Sequence, residues 1–170
     1  MIRAYHFTGP KLRDGRPVPA IGEWLVYEGD LEICRSGLHA SRASLDALRY
    51  APGSLLHLVD CEGDVCEQPD KLICRCRRIV ATVDASRIMR QFTSECAALA
   101  CWCAGLTDDV YQRAALGTTS FAAGDITEQQ MLDLWAAAWD AAGAAARAAA
   151  ANRWRELVRA EFAKQGVEVE

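Results

Sequence analysis

SLLHLVDCEGDVCEQPDKLICRCRRIVATVD, residues 54–84, is the stretch on which the fold turns. Ser54 to Asp60 sets leucines and a valine around His57, with turn signals at Pro52-Gly53 and Gly63-Asp64, so it reads as the strongest strand of the chain and a central one. Pro69-Asp70 marks another turn, and Lys71 to Asp84 reads as a long strand. Side chains alternate along a strand, which puts Cys74 and Cys76 on one side and Arg75 and Arg77 on the other. The expected sheet therefore has one apolar face and one wet face.

Upstream, Ile2 to Thr8 is a strand that stops at Gly9-Pro10, and Lys11 to Pro19 is a loop carrying Asp14-Gly15. Glu23 to Tyr27 forms a second short strand before the Glu28-Gly29-Asp30 turn. Leu31 to Cys34 alternates apolar and polar, and Ser36-Gly37 bends the backbone into Leu38-His39-Ala40. Ser41 is a reasonable N-cap for a helix in which Leu45, Leu48 and Tyr50 recur at helical spacing until Pro52-Gly53.

Downstream the hydrophobic period changes from two to about 3.6. Ile88, Phe92, Cys96, Leu99 and Cys103 fall on one stripe of a helix that closes at Gly105, and Asp108 to Leu116 makes a shorter one. Thr127-x-x-Gln130 is a capping box before Met131. The next run is dominated by alanine and studded with Trp135, Trp139 and Trp154, and alanine's high propensity supports a helix of about ten turns. It is no membrane span, because Asp133, Asp140 and Arg147 would each cost about 2.5 to 3.5 kcal/mol at bilayer depth. The fold class expected is α+β: a small mixed, mainly antiparallel sheet with one helix over residues 1–84, then an all-helical domain or appendage over 85–170 ending in the long alanine-rich helix.

Composition narrows the function. At 170 residues, 51% hydrophobic and 25% charged, the chain can bury a real core, and a net charge of -4 disfavours nucleic acid as a partner. Met1 to His6 runs into Pro-rich sequence without an apolar h-region, so a cytoplasmic protein with no membrane partner is expected. The eight cysteines lack paired Cys-x2-Cys knuckles and a His-x3-His, so they are expected as small buried hydrophobes rather than metal ligands. Walker, G-x-G-x-x-G and G-x-S-x-G motifs are absent.

Gly37-Leu38-His39-Ala40-Ser41, Leu45-Asp46-Ala47-Leu48, Tyr50-Ala51-Pro52, Val59 to Gly63 and Asp70-Lys71 resemble an uncharacterised phage and bacterial family with a Gly-(Phe/Leu)-His-Ala-(Cys/Ser) corner, some of whose members continue into Ala- and Trp-rich helices of immunity type. That resemblance implies a non-enzymatic accessory protein of phage or mobile-element type, immunity-like or anti-defence, that binds another protein and needs no cofactor. The alanine-rich helix is the expected contact surface through Trp135, Trp139 and Trp154, with homodimerisation through the same helix as one form of contact.

A weaker likeness is to ADP-ribosyltransferases of the poly(ADP-ribose)-polymerase type. His6 in Tyr5-His6-Phe7-Thr8-Gly9, the Gly37 to Ser41 corner, Leu55 to Gly63, and Glu67 or Asp70 resemble that family's order. This resemblance implies NAD as cofactor, with His6 on a ribose, His39 where the family stacks a tyrosine, and Glu67 or Asp70 stabilising an oxocarbenium-like sugar, so that His6, His39, Glu67 and Asp70 are the catalytic candidates. A degenerate relative that still binds a nucleotide is its milder form. Independently of family, His39 can donate and accept a hydrogen bond near neutral pH, and Arg75 and Arg77 offer a cationic strip for an anionic ligand or an acidic partner.

Overall fold

The computed structural model describes residues 1–103 and 144–169. In chain order the elements are β1 (Ile2–Thr8), β2 (Trp24–Val26), β3 (Leu38–Ala40), α1 (Ser44–Leu48), β4 (Leu55–Glu67), β5 (Leu72–Asp84), α2 (Ser86–Cys103) and α3 (Ala144–Ala163). Every strand pairing among them is antiparallel, which makes the class α+β. Helices expected within 104–143, with the capping box at Thr127, lie outside the described residues.

β4 and β5 form the spine. Their flanks carry β1 on the β4 side and β2 and β3 on the β5 side. The expected turn at Gly63-Asp64 is instead a bulge: pairing resumes beyond it with Val65 opposite Cys74 and runs on to Glu67 opposite Leu72. Gly63 adopts φ 75°, and a Cβ there would stand 3.0 Å from Arg75 Cβ, so a residue without a side chain absorbs the extra position. A second irregularity falls between Leu58 and Val59, where Val80 is the extra residue on β5. Both bulges increase local twist, and the twist has a consequence for connectivity.

Ser41, just past β3, exchanges two backbone hydrogen bonds with Tyr5 of β1, at 2.8 and 2.9 Å. β1 pairs β4, β4 pairs β5, β5 pairs β3, and Ser41 returns to β1, so the strands close into a ring. Closure removes exposed edges that would otherwise be left unpaired. It also explains why Ser41 does not cap α1. The helix starts at Ser44, with Ala43 at its N-cap and no side-chain cap. Leu31 to Cys34 is likewise no strand, since Glu32 and Ser36 bond back to one another and close a tight turn around Cys34 at φ 70°.

Ala4, Ala40, Val59, Cys61, Leu72, Cys74 and Ile79 make one buried apolar cluster. The expected wet face is not uniform: Arg77 is buried at 6% exposure while Cys76 is partly exposed. His57, fully buried, joins Thr8 on β1 and Thr82 on β5, with both ring nitrogens 2.8 Å from a hydroxyl.

The chain divides into two compact units, Met1–Ala85 with Val158–Glu170, and Ser86–Leu157. The last turns of α3 therefore belong with the sheet: Val158 and Phe162 are buried there, and the Gln165 side-chain amide donates to the Thr82 carbonyl at 2.8 Å. In the second unit Ile88, Phe92 and Cys96 are buried at the spacing read from the sequence. No helix among the described residues is long and apolar enough to cross a membrane.

Candidate ligand pocket

β1, the Gly37 corner and β5 surround a cavity of about 900 Å3. Its wall includes His6 of β1, His39 of β3 and Arg77 of β5, with Tyr27 and Tyr50 also facing it. The loop 11–16, folded on itself by the Lys11 and Pro17 bridge, brings Lys11, Arg13 and Arg16 to the lining, and the Cys34 turn brings Arg35.

Gly37 shapes this wall. At φ 106° it occupies backbone space that L residues avoid, and a Cβ would meet Leu31 Cδ2 at 2.9 Å and Ile73 Cβ at 3.3 Å. The turn thus aims His39 toward the cavity while Leu31 and Ile73 close behind it.

Arg77 is the central charge. One guanidinium nitrogen donates to the His39 carbonyl, and no described carboxylate pairs with it. Burial lowers its affinity for a proton, and the nearby Cys61 and Cys74 thiols act in the opposite direction. Its field reaches the imidazoles. His6 is held well below the usual histidine range, first by burial and then by Arg77, His57 and His39. His39 is lowered by burial foremost, with a backbone hydrogen bond to Gly37 pulling the other way and Arg77, Lys71 and Arg13 adding to the depression. Both rings are neutral near pH 7, each able to donate one N–H and accept at the other nitrogen.

Carboxylates are nearly missing from the wall. Asp14 is the single acidic residue of the lining, and it is bound to Arg16 at 2.7 Å, which holds its carboxyl below the usual carboxylate range. Glu67 does not reach the cavity. Both of its oxygens accept from Arg42, at 2.7 and 3.1 Å, and this pairing lowers its pKa. Asp70 is also outside the lining; it accepts a short hydrogen bond from the Tyr50 hydroxyl, which lowers the carboxyl and raises the phenol. The acid expected to complete a transferase site, Glu67 or Asp70, is thus committed elsewhere: β4 runs on past Gly63 and carries Glu67 to Arg42, and the Tyr50 hydroxyl holds Asp70.

Arg75 and Arg77 do not act as one strip either. Arg75 is held by Asp64 at 3.0 Å and by the carbonyls of Tyr27 and Gly29 at 3.0 and 3.2 Å, away from the lining, while Arg77 alone of the two enters it. The signal that sequence reasoning misses is the basic loop itself: Lys11, Arg13 and Arg16 crowd into one short segment that turns at Gly15.

Of the three tryptophans expected at a partner surface, Trp135 and Trp139 lie outside the described residues. Trp154 is fully buried in its own chain, its ring tilted 53° against Phe92 at 5.1 Å between centroids. The spacing of Ala150, Trp154, Leu157, Val158 and Phe162 makes one apolar stripe, and all five are buried intramolecularly. Among the described residues no three His, Cys, Asp or Glu side chains gather as a metal site would require.

Fold and cavity together define a small antiparallel α+β domain whose cavity is cationic and poor in carboxylates. The chain belongs to the family of the domain of unknown function DUF7666, whose model matches residues 2–91. No curated protein and no solved structure matches the chain.

Proposed function

We propose that the sheet unit is a binding module for a small anionic ligand of nucleotide type, NAD or a relative of it, and that it does not transfer ADP-ribose. The observation that carries this is Arg77: a buried cation facing a cavity with no carboxylate beside it. A buried charge is costly unless paired, so a site that keeps one open is suited to an anion that arrives from solution. Neutral His6 and His39 supply hydrogen bonds to ribose hydroxyls or phosphate oxygens, and Tyr27 and Tyr50 give ring surface for a base. Cleavage of the glycosidic bond of NAD would need a carboxylate near the developing cationic sugar, and neither Glu67 nor Asp70 lines the cavity.

Calorimetric titration with NAD and with ADP-ribose tests the binding, and incubation with labelled NAD and lysate tests the transfer. Saturable heat without label transfer is the expected result. Label transfer abolished by His6→Ala and His39→Ala would make the protein a transferase instead, and absence of heat with both ligands would end the nucleotide reading.

A protein-binding accessory role draws on a different place. Ile21 and Val26 are 64% and 61% exposed around β2, with Trp24 beside them. Pull-down by the wild type that Val26→Lys abolishes, with nucleotide binding unchanged, would favour that role.

A further inference from the structure

Charge balance within the cavity narrows the ligand class further, a step that rests on the pocket being a nucleotide site. Arg16 is neutralised by Asp14 at 2.7 Å and Arg35 by Glu32 at 3.1 Å. Four other cations of the lining, Lys11, Arg13, Lys71 and Arg77, have no carboxylate within salt-bridge distance among the described residues. NAD carries a diphosphate partly offset by its own cationic ring, which leaves most of those four charges unanswered.

The four cations are also not equivalent. Arg77 is buried at 6% exposure, tethered to the His39 carbonyl and flanked by two imidazoles. Lys11 and Arg13 are exposed on the loop that folds over the cavity's edge. A phosphate at Arg77 sits in low dielectric, where a charge-assisted hydrogen bond is strong and salt has little reach. A phosphate at Lys11 and Arg13 meets screened, mobile charges that weaken as ionic strength rises.

We infer that the cavity selects a nucleotide with two separate anionic groups, a diphosphate and a further phosphate ester, one seated on Arg77 and the other on Lys11 and Arg13. NADP and NAD are the probes that isolate this claim, since they differ by one phosphate ester on the adenosine ribose. Arg77→Met is the first variant. It keeps the unbranched stem of the side chain and the strand pairing and removes a buried charge that has no carboxylate partner, so it is expected to fold; Arg77→Lys is the second, and retains a charge without the planar fork.

Titrations at about 0.05 M and about 1 M salt separate the two seats, because the screening length falls from roughly 14 Å to roughly 3 Å. The expected result is NADP binding about tenfold or more tighter than NAD at low salt. That preference should disappear at high salt and in Lys11→Gln/Arg13→Gln. Arg77→Met should weaken both ligands about ten- to hundredfold at either salt concentration, with Arg77→Lys intermediate. Equal affinity for NAD and NADP in the wild type would overturn the second seat while leaving the nucleotide pocket intact. Failure of either ligand to bind the wild type would overturn both.

Discussion

Two adjacent residues of β5 handle a buried charge in opposite ways. Arg78 lies across from Asp60 on β4 and donates twice to one of its oxygens, at 2.9 and 3.1 Å, while Arg3 of β1 donates to the other at 2.7 Å. Asp60 is 1% exposed and both of its oxygens are answered. Arg77, one step along the strand, is also buried and has only a backbone carbonyl. The pleat sends neighbours to opposite faces, and there the surroundings differ: a carboxylate between two arginines against an open cavity lined by imidazoles. A closed ion cluster belongs to the architecture. An open buried cation is suited to a ligand.

The sharpest way to break this contrast is to strip Asp60 of both partners. Arg3→Ala/Arg78→Ala leaves a carboxylate with 1% exposure uncompensated, and chemical denaturation should show a loss of about 3 to 5 kcal/mol. Loss of stability no greater than that of two ordinary surface substitutions would mean that the cluster is not structural.

His57 offers the next largest effect. Burial, with Arg77 adding to it, lowers its pKa to about 4. Above about pH 6.5 the ring is neutral in both folded and unfolded chains and contributes no pH dependence. Below that, the unfolded chain takes up a proton first, so stability falls from about pH 6.5 toward about 4 by about 3 kcal/mol and levels off beneath it. His57→Gln, which can still bond Thr8 and Thr82, should flatten that slope in melting curves recorded from neutral pH down to about 4. An unchanged slope would place the titrating group elsewhere.

Gly37→Ala should cost about 2 kcal/mol, since φ 106° and the 2.9 Å approach to Leu31 both oppose a side chain. Arg77→Met is the counterpart of the Asp60 experiment, with an expected stability change between zero and a gain of about 1 kcal/mol. The difference between these two charge removals, large on one face and slight or favourable on the other, is what an open ligand pocket demands.

How much of this is legible in the sequence depends on how local each feature is. β1 can be read from Ile2 to Thr8 and β5 to within one residue, because apolar runs end there at Gly, Pro or Asp and need no distant partner. Gly63-Asp64 misleads because a bulge and a turn use the same residues; only the resumed pairing of Val65 with Cys74 tells them apart. Ring closure through Tyr5 and Ser41 joins residues far apart in the chain, and no periodicity announces it. His6, His39 and Arg77 stand out as candidates from residue type alone, and all three line the cavity. Order along the chain points to Glu67 and Asp70, but it says nothing about which arginine or tyrosine claims them first.

The smallest expected effect concerns the same imidazoles in the presence of ligand. Burial foremost keeps both rings neutral, with Arg77, His57 and His39 adding to it at His6 and Arg77, Lys71 and Arg13 adding to it at His39. An anion on Arg77 offsets that field, so both histidines bind protons more readily in the complex than in the free protein. Affinity for NAD, whose diphosphate does not titrate in this range, should therefore rise modestly as pH falls below neutrality, by less than about tenfold, with net proton uptake visible as a buffer-dependent heat of binding. Stability moves the opposite way over that interval through His57. His57→Gln should remove the stability trend and leave the affinity trend, whereas Arg77→Met should abolish the affinity trend; an affinity slope that survives in Arg77→Met would place the anion away from that guanidinium.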